Sequence, residues 1–200
     1  MGARNEILTL ERTALKEWAV LARAMGRGDI IAMVRKGGIR EQRAGFSVRH
    51  DRFVLYPTYF HEKAAELQPR FQRALDDVAA AHPAEGVLCI ELVAHVAAVW
   101  RVRSLEPLRA IEHEHGLAWT AVESRFHYRD RPGVQVVAVR IARLTRTMEL
   151  REIRRYAGCV SWVELETDVD VADARDVVER AAFDERLARL GMALGAPERD

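Results

Sequence analysis

Apolar residues recur along this chain at two different periods, and the switches between them mark out its elements. Leu15, Trp18, Ala22 and Met25 are three or four residues apart, and Gly26 and Gly28 end the run. That spacing lines one face of a helix, so an amphipathic helix is predicted over residues 12–25. Ile30 to Val34 is a short apolar run rich in β-formers, which predicts a strand buried on both faces. Lys36-Gly37-Gly38 turns the chain, and Phe46-Ser47-Val48 and Phe53-Val54-Leu55 predict two further short strands. Pro69 suits the first turn of a second helix. Its apolar face is Phe71, Leu75, Val78 and Ala79, and it ends before Pro83.

Val87 to Arg103 changes the period to two. Leu92, Ala94, Val96, Ala98, Trp100 and Val102 fall on one side, and Glu91, His95, Arg101 and Arg103 on the other, so a strand is predicted. A short helix over Pro107 to His115, opened by Ser104, follows. Val122, Ser124, Phe126 and Tyr128 then alternate with Glu123, Arg125, His127 and Arg129, and Arg131-Pro132-Gly133 leads into Val134 to Leu144. This predicts a hairpin. Cys159 to Leu165 reads as another strand. Asp173 to Leu194 reads as the last helix, and the tail 195–200 is expected to fray. Helices and strands interleave without regular βαβ units, which predicts an α+β fold: a mixed, mainly antiparallel sheet with three main helices. A single domain over 1–200 is expected, with lobes 1–83 and 84–200 as the alternative division.

Composition narrows the classes. The chain has 200 residues, long enough to bury a core without staples. Its formal net charge is +1, so no global field demands a nucleic acid or a membrane. Local charge is less even. Residues 1–75 hold 14 Lys+Arg against 8 Asp+Glu, while residues 164–185 hold nine acids and two arginines. Nearly all the bases are arginine, the residue that best forks onto phosphate or carboxylate. Two cysteines, Cys89 and Cys159, make no disulfide framework. No secretory leader pattern is visible and the most apolar stretch is too short to span a bilayer, so a cytoplasmic, non-membrane protein is expected.

Two motifs carry more glycine, aromatic and polar character than a core requires: Arg35 to Ile39 followed by Phe53 to His61, and Tyr156 to Val163. Four stretches carry a resemblance. They are Ala14-Leu15-Lys16-Glu17-Trp18, Val34-Arg35-Lys36-Gly37-Gly38-Ile39, Phe53-Val54-Leu55-Tyr56-Pro57-Thr58-Tyr59 and the segment from Tyr156 to Leu165. In this order and combination the chain resembles a bacterial family known as domain of unknown function 1802. The resemblance covers about residues 14–165. It implies no established activity, and its association with restriction-endonuclease-like domains implies a nucleic-acid or restriction-modification setting.

The residues themselves offer two kinds of chemistry. Arg35, Lys36 and Arg40 lie near Gly37 and Gly38, whose backbone amides can approach an anion closely, while Tyr56 and Tyr59 can stack flat rings. These seven residues are the candidate ligand-binding set. The competing reading is a glycine turn beside aromatics that fill the core. His61 and Glu62 are candidate acid–base groups and Cys159 a candidate nucleophile, against a helix-entry pair and a small buried thiol. Glu91 and His95 would be about 13 Å apart on a strand, too far for one metal. The His113 and His115 pair lacks companion ligands, so no metal and no cofactor is expected. A restriction-type nuclease core and a magnesium-binding Glu-rich helix both find no matching spacing. Whether the chain is an enzyme stays open. The leading expectation is a noncatalytic module for nucleic acid or another phosphorylated ligand. The alternatives are a hydrolase of phosphorylated small molecules and a protein-interaction domain using the acidic C-terminal helix. Oligomeric state is not legible.

Overall fold

The computed structural model describes residues 9–36, 48–59, 63–158 and 160–198. Strands β1 (Leu10–Trp18), β2 (Ala32–Arg35), β3 (Arg52–Thr58), β4 (Val87–Val102), β5 (Val134–Arg151) and β6 (Trp162–Asp170) form one sheet in the order β2-β5-β4-β3-β1-β6, and β7 (Arg175–Asp176) pairs with β5. Only β1 and β3 run parallel among the described strands. The described α-helices are α1 (Ala19–Gly26), α2 (Pro69–Gln72), α3 (Ala74–Ala80), α4 (Glu106–Ala110), α5 (Trp119–His127) and α6 (Arg180–Leu194). The fold is α+β, with a mostly antiparallel mixed sheet and, among the described residues, three helices of eight residues or more, α1, α5 and α6. The sheet draws strands from both sides of residue 83.

Strand parity divides the core in two. Leu15, Phe53, Leu55 and Ala94 point into the larger cluster, which lies under the helices with Met25, Phe71, Val122 and Phe183. Ala14, Val54, Tyr56 and Val93 point the other way, into a smaller cluster with Leu88, Ile90, Tyr156 and Leu165. Alternate residues of β1, β3 and β4 thus serve opposite faces, as the pleat requires.

Three local expectations are corrected. The last helix begins at Arg180, not Asp173, and Arg175–Asp176 form β7 instead. Residues 12–25 are not one helix: β1 runs to Trp18 and α1 starts at Ala19. Leu15, Ala22 and Met25 all join the helix-side core and Trp18 packs against it, so a strand and a helix that share one core imitate a continuous helical stripe. Residues 119–127 form α5 rather than a hairpin strand. Val122 and Phe126 are both buried, one helical turn apart. Along Gln135 to Ala138 the neighbouring strand β5 is paired with β4 on one edge and with β2 on the other, so it has no edge to offer there. Of the tail expected to fray, residues 195–198 are tied to β4. The Trp100 indole donates to the Gly195 carbonyl (2.9 Å), and the Glu198 amide donates to the Val99 carbonyl (2.7 Å).

One irregularity positions the site. β3 pairs with β4 only from Arg52 to Val54, while β4 continues to Val87 paired with β5 alone. Beyond Val54 the two strands part. Pro57, which has no N–H to donate, lies in the parted segment. Opposite Glu91 the β4–β5 register shifts, with Ile90 facing Met148 and Leu92 facing Arg143. The Glu91 carboxylate takes bonds there from Arg143 (3.1 Å) and Thr147 (3.3 Å).

Candidate functional site

The parting of β3 from β4 opens a cleft of about 460 Å³. Tyr56, Pro57, Thr58 and Tyr59 line one wall, and Val87, Leu88 and Cys89 the other. Lys16, Glu17 and Trp18 enter from the end of β1, Arg35 from the end of β2 and Arg125 from α5, while residues 156–158, 160 and 161 close the far side. Clefts of this size suit small organic ligands or a nucleotide portion of a larger one.

The cleft has two chemically distinct ends. At one, Glu17 is 5% exposed and accepts from Arg35 (3.1 Å) and from the Trp18 amide (3.0 Å). Arg125 lies beside them, donates to the Val34 carbonyl (2.8 Å) and sits 5.5 Å from the Trp18 ring. Burial pushes the Arg125 pKa down, with Glu17 opposing and Arg35 adding to that shift. Arg35 alone is ion-paired with Glu17; Arg125 feels the Glu17 and Glu66 charges but forms no ion pair among the described residues. A desolvated guanidinium with a single acceptor among those residues has donors left for a ligand, and its fork matches a phosphate or carboxylate.

At the other end Lys16 Nζ donates to the Tyr156 and Gly158 carbonyls and lies 5.2 Å from the centre of the Tyr56 ring. Gly158 has φ 95°, a backbone region that favours glycine. The Tyr56 hydroxyl donates to Glu152, and burial first, then that bond, raises the Tyr56 pKa far above the ordinary phenol range. Tyr56 is therefore a fixed neutral donor and a flat wall rather than a base. Tyr156 stands edge-on to it, with ring centres 6.3 Å apart. Tyr59 packs against the His82 ring at 4.3 Å. Three cations face two carboxylates around the described lining, and the aromatic groups Trp18, Tyr56, Tyr59 and Tyr156 alternate with them.

Of the residues expected from sequence to bind a ligand, Arg35, Tyr56 and Tyr59 meet in this cleft. Lys36 is placed otherwise. Its ammonium donates to the carbonyls of Phe126 (3.1 Å), Gly133 (2.6 Å) and Arg131, closing the turn between α5 and β5. All three of its donors are used in that collar, and burial lowers its pKa. Lys36 follows the end of β2 at Arg35, and its side chain goes to the α5–β5 turn instead. Gly37, Gly38 and Arg40 lie outside the described residues, as do His61, Glu62 and Cys159. The sequence reading missed Lys16, Glu17, Trp18, Arg125 and Glu152 as lining groups. Lys16 to Trp18 were visible as a motif without a role. Arg125 carried no signal, because its segment read as a strand.

No group of three or more His, Cys, Asp or Glu residues able to hold a metal occurs among the described residues. No described helix is long and apolar enough to cross a membrane.

The chain belongs to the family described as domain of unknown function DUF1802, whose model matches residues 14–189. No curated protein matches it. Among solved structures it is similar to the crystal structure of ASCH from Zymomonas mobilis, with 13% sequence identity over 88% of this chain and 92% of that one. The TM-score is 0.45, and nothing about this chain is taken from so distant a likeness.

Proposed function

We propose that this member of the DUF1802 family is a noncatalytic module that binds nucleic acid, or another ligand joining a phosphate to a flat ring, in the cleft between β3 and β4. The observation that carries the reading is that Arg125, buried beside Trp18 with one carbonyl acceptor among the described residues, lines the same cavity as Arg35, Tyr56 and Tyr59. The guanidinium groups supply bidentate donors for phosphate, and the aromatic rings supply faces on which an unpaired base stacks. Glu17 holds Arg35 in place, so the positive end is organised before a ligand arrives.

The test is a titration of labelled single-stranded and duplex DNA and RNA at several salt concentrations, with wild type and Arg125→Ala. Wild type should bind with an affinity that falls as salt rises, by a log–log slope of about 0.7 per single-strand phosphate contact. Arg125→Ala should weaken binding about ten- to a hundredfold, as expected when a charged hydrogen-bond donor is removed. Equal affinity of the two proteins would remove the cleft from consideration.

A hydrolase acting on a phosphorylated small molecule is the second reading. It rests on His61, Glu62 and Cys159, and what favours it is that Tyr59, Gly158 and Val160, their neighbours in the chain, line this same cleft. Release of inorganic phosphate from nucleotides or sugar phosphates, abolished by His61→Ala, would replace the binding module with the enzyme.

A further inference from the structure

A second cavity, also of about 460 Å³, adjoins the first. The two share Pro57, Tyr59, Pro83 and Cys89 as a common wall. The second opens towards α1, and Leu55, Val78 and Leu92 give it an apolar side. Its charged groups are Arg23, Arg27, Arg143 and Glu91. Arg143 is already engaged, donating to Glu91 (3.1 Å) and to the Gly26 carbonyl (2.8 Å). Arg23 and Arg27 remain. They are four residues apart, on one face of the end of α1. Neither side chain makes a hydrogen bond or ion pair among the described residues, although Arg23 is half-buried. A guanidinium partly withdrawn from water without an acceptor is costly unless something else supplies one.

We infer that the two cavities are adjoining subsites for one ligand, a single-stranded nucleic-acid segment of at least two nucleotides. This deepens the reading proposed above and rests on it. Each cavity combines more cations than carboxylates, three against two in the first and three against one in the second, with an apolar or aromatic wall, the pairing that one phosphate and one base require. Tyr59 and Pro57 separate the two, so consecutive unpaired bases would lie on either side of one aromatic residue, splayed as protein-bound single strands are. A free mononucleotide fills one cavity and leaves Arg23 and Arg27 without an acceptor.

The experiment compares a nucleoside monophosphate with a dinucleotide and a tetranucleotide, in RNA and DNA form, by calorimetric titration of wild type and the Arg23→Ala/Arg27→Ala double variant. Wild type should bind the dinucleotide at least about tenfold more tightly than the monophosphate, because linkage makes the second binding event intramolecular. The double variant should bind the monophosphate like wild type and lose the dinucleotide advantage. Its salt slope should fall by about 0.7 for each phosphate it no longer neutralises. Equal affinity of wild type for both lengths, or a dinucleotide advantage that survives in the variant, would overturn the second subsite and leave the first. Loss of monophosphate binding in the variant would also overturn it. Failure of wild type to bind any of these ligands would overturn the nucleic-acid reading and this inference together. The replaced side chains have no hydrogen-bond partner among the described residues, so an unchanged melting temperature certifies the fold.

Discussion

Two buried glutamates meet arginines in this molecule, and they end in opposite states. Glu114 is 2% exposed, and Arg186 grips both of its oxygens, at 2.6 to 3.2 Å, while also donating to the Gly28 and Asp29 carbonyls. Every strong group there has its partner, and the result fastens α6 to the turn after α1. Glu17 is nearly as buried but is held by Arg35 through one hydrogen bond, with Arg125 beside it and a cavity in front. The same residue types therefore fasten two elements where the donors are saturated, and at Arg125 leave donors for the ligand that we propose. Buried charge alone does not mark a site; the balance of donors and acceptors around it does.

The largest effect should come from breaking the saturated pair. Arg186→Ala leaves the buried Glu114 with only the exposed His113 ring, 3.5 Å away, and should cost about 3–5 kcal/mol of stability, read as a lower urea midpoint. A loss under about 1 kcal/mol, the scale of an exposed pair, would show that the contrast is false. Ligand affinity of the folded fraction should not change.

Acidification attacks the same structural region. His115, next to Glu114, is 1% exposed, accepts from the Leu117 amide (3.2 Å) through Nδ1 and has no partner at Nε2 among the described residues. Burial first, then Arg125 and Arg70, push its pKa from 6.5 down to about 4. The unfolded chain thus binds the proton more readily than the folded one between these values. Stability should be level above about pH 6.5 and decline as pH falls towards 4, by about 3 kcal/mol at 1.36 kcal/mol per unit. His115→Asn should flatten that decline; an unchanged profile would assign acid sensitivity elsewhere.

The smallest change tests two adjacent cations. Lys36→Met should remove the carbonyl collar and lower stability by about 1–3 kcal/mol, the cost of leaving its acceptors unpaired. Nucleic-acid affinity should stay within experimental error. A fall in affinity at unchanged stability would return Lys36 to the binding surface.

The sequence foretold part of this well. From Leu92 to Arg103 the pattern alternated because Leu92, Ala94, Trp100 and Val102 pack the helix-side core while Arg101 and Arg103 are exposed; the shift between Ile90 and Leu92, which puts Leu88 and Ile90 in the other cluster, left no trace in it. β1 with α1 was misread because two elements facing one core share a spacing. α5 was misread because its polar alternation matched a strand as well as a helix. Arg35, Tyr56 and Tyr59 could be singled out by type. Their meeting with Lys16, Glu17 and Arg125 could not, because it depends on the parting of β3 from β4, a tertiary event with only Pro57 as a local trace. In space, all four stretches singled out from the sequence contribute to the cleft.

The most direct test of the central claim asks where a ligand lands. Trp18 lines the cleft, whereas the Trp100 indole bonds to the Gly195 carbonyl beside the C-terminal tail. Indole N–H signals of the four tryptophans, followed by NMR during titration with a single-stranded oligonucleotide, separate these places. Binding in the cleft predicts that the Trp18 signal moves in proportion to occupancy while that of Trp100 stays fixed. A saturating ligand that moves Trp100 and leaves Trp18 unchanged would contradict it.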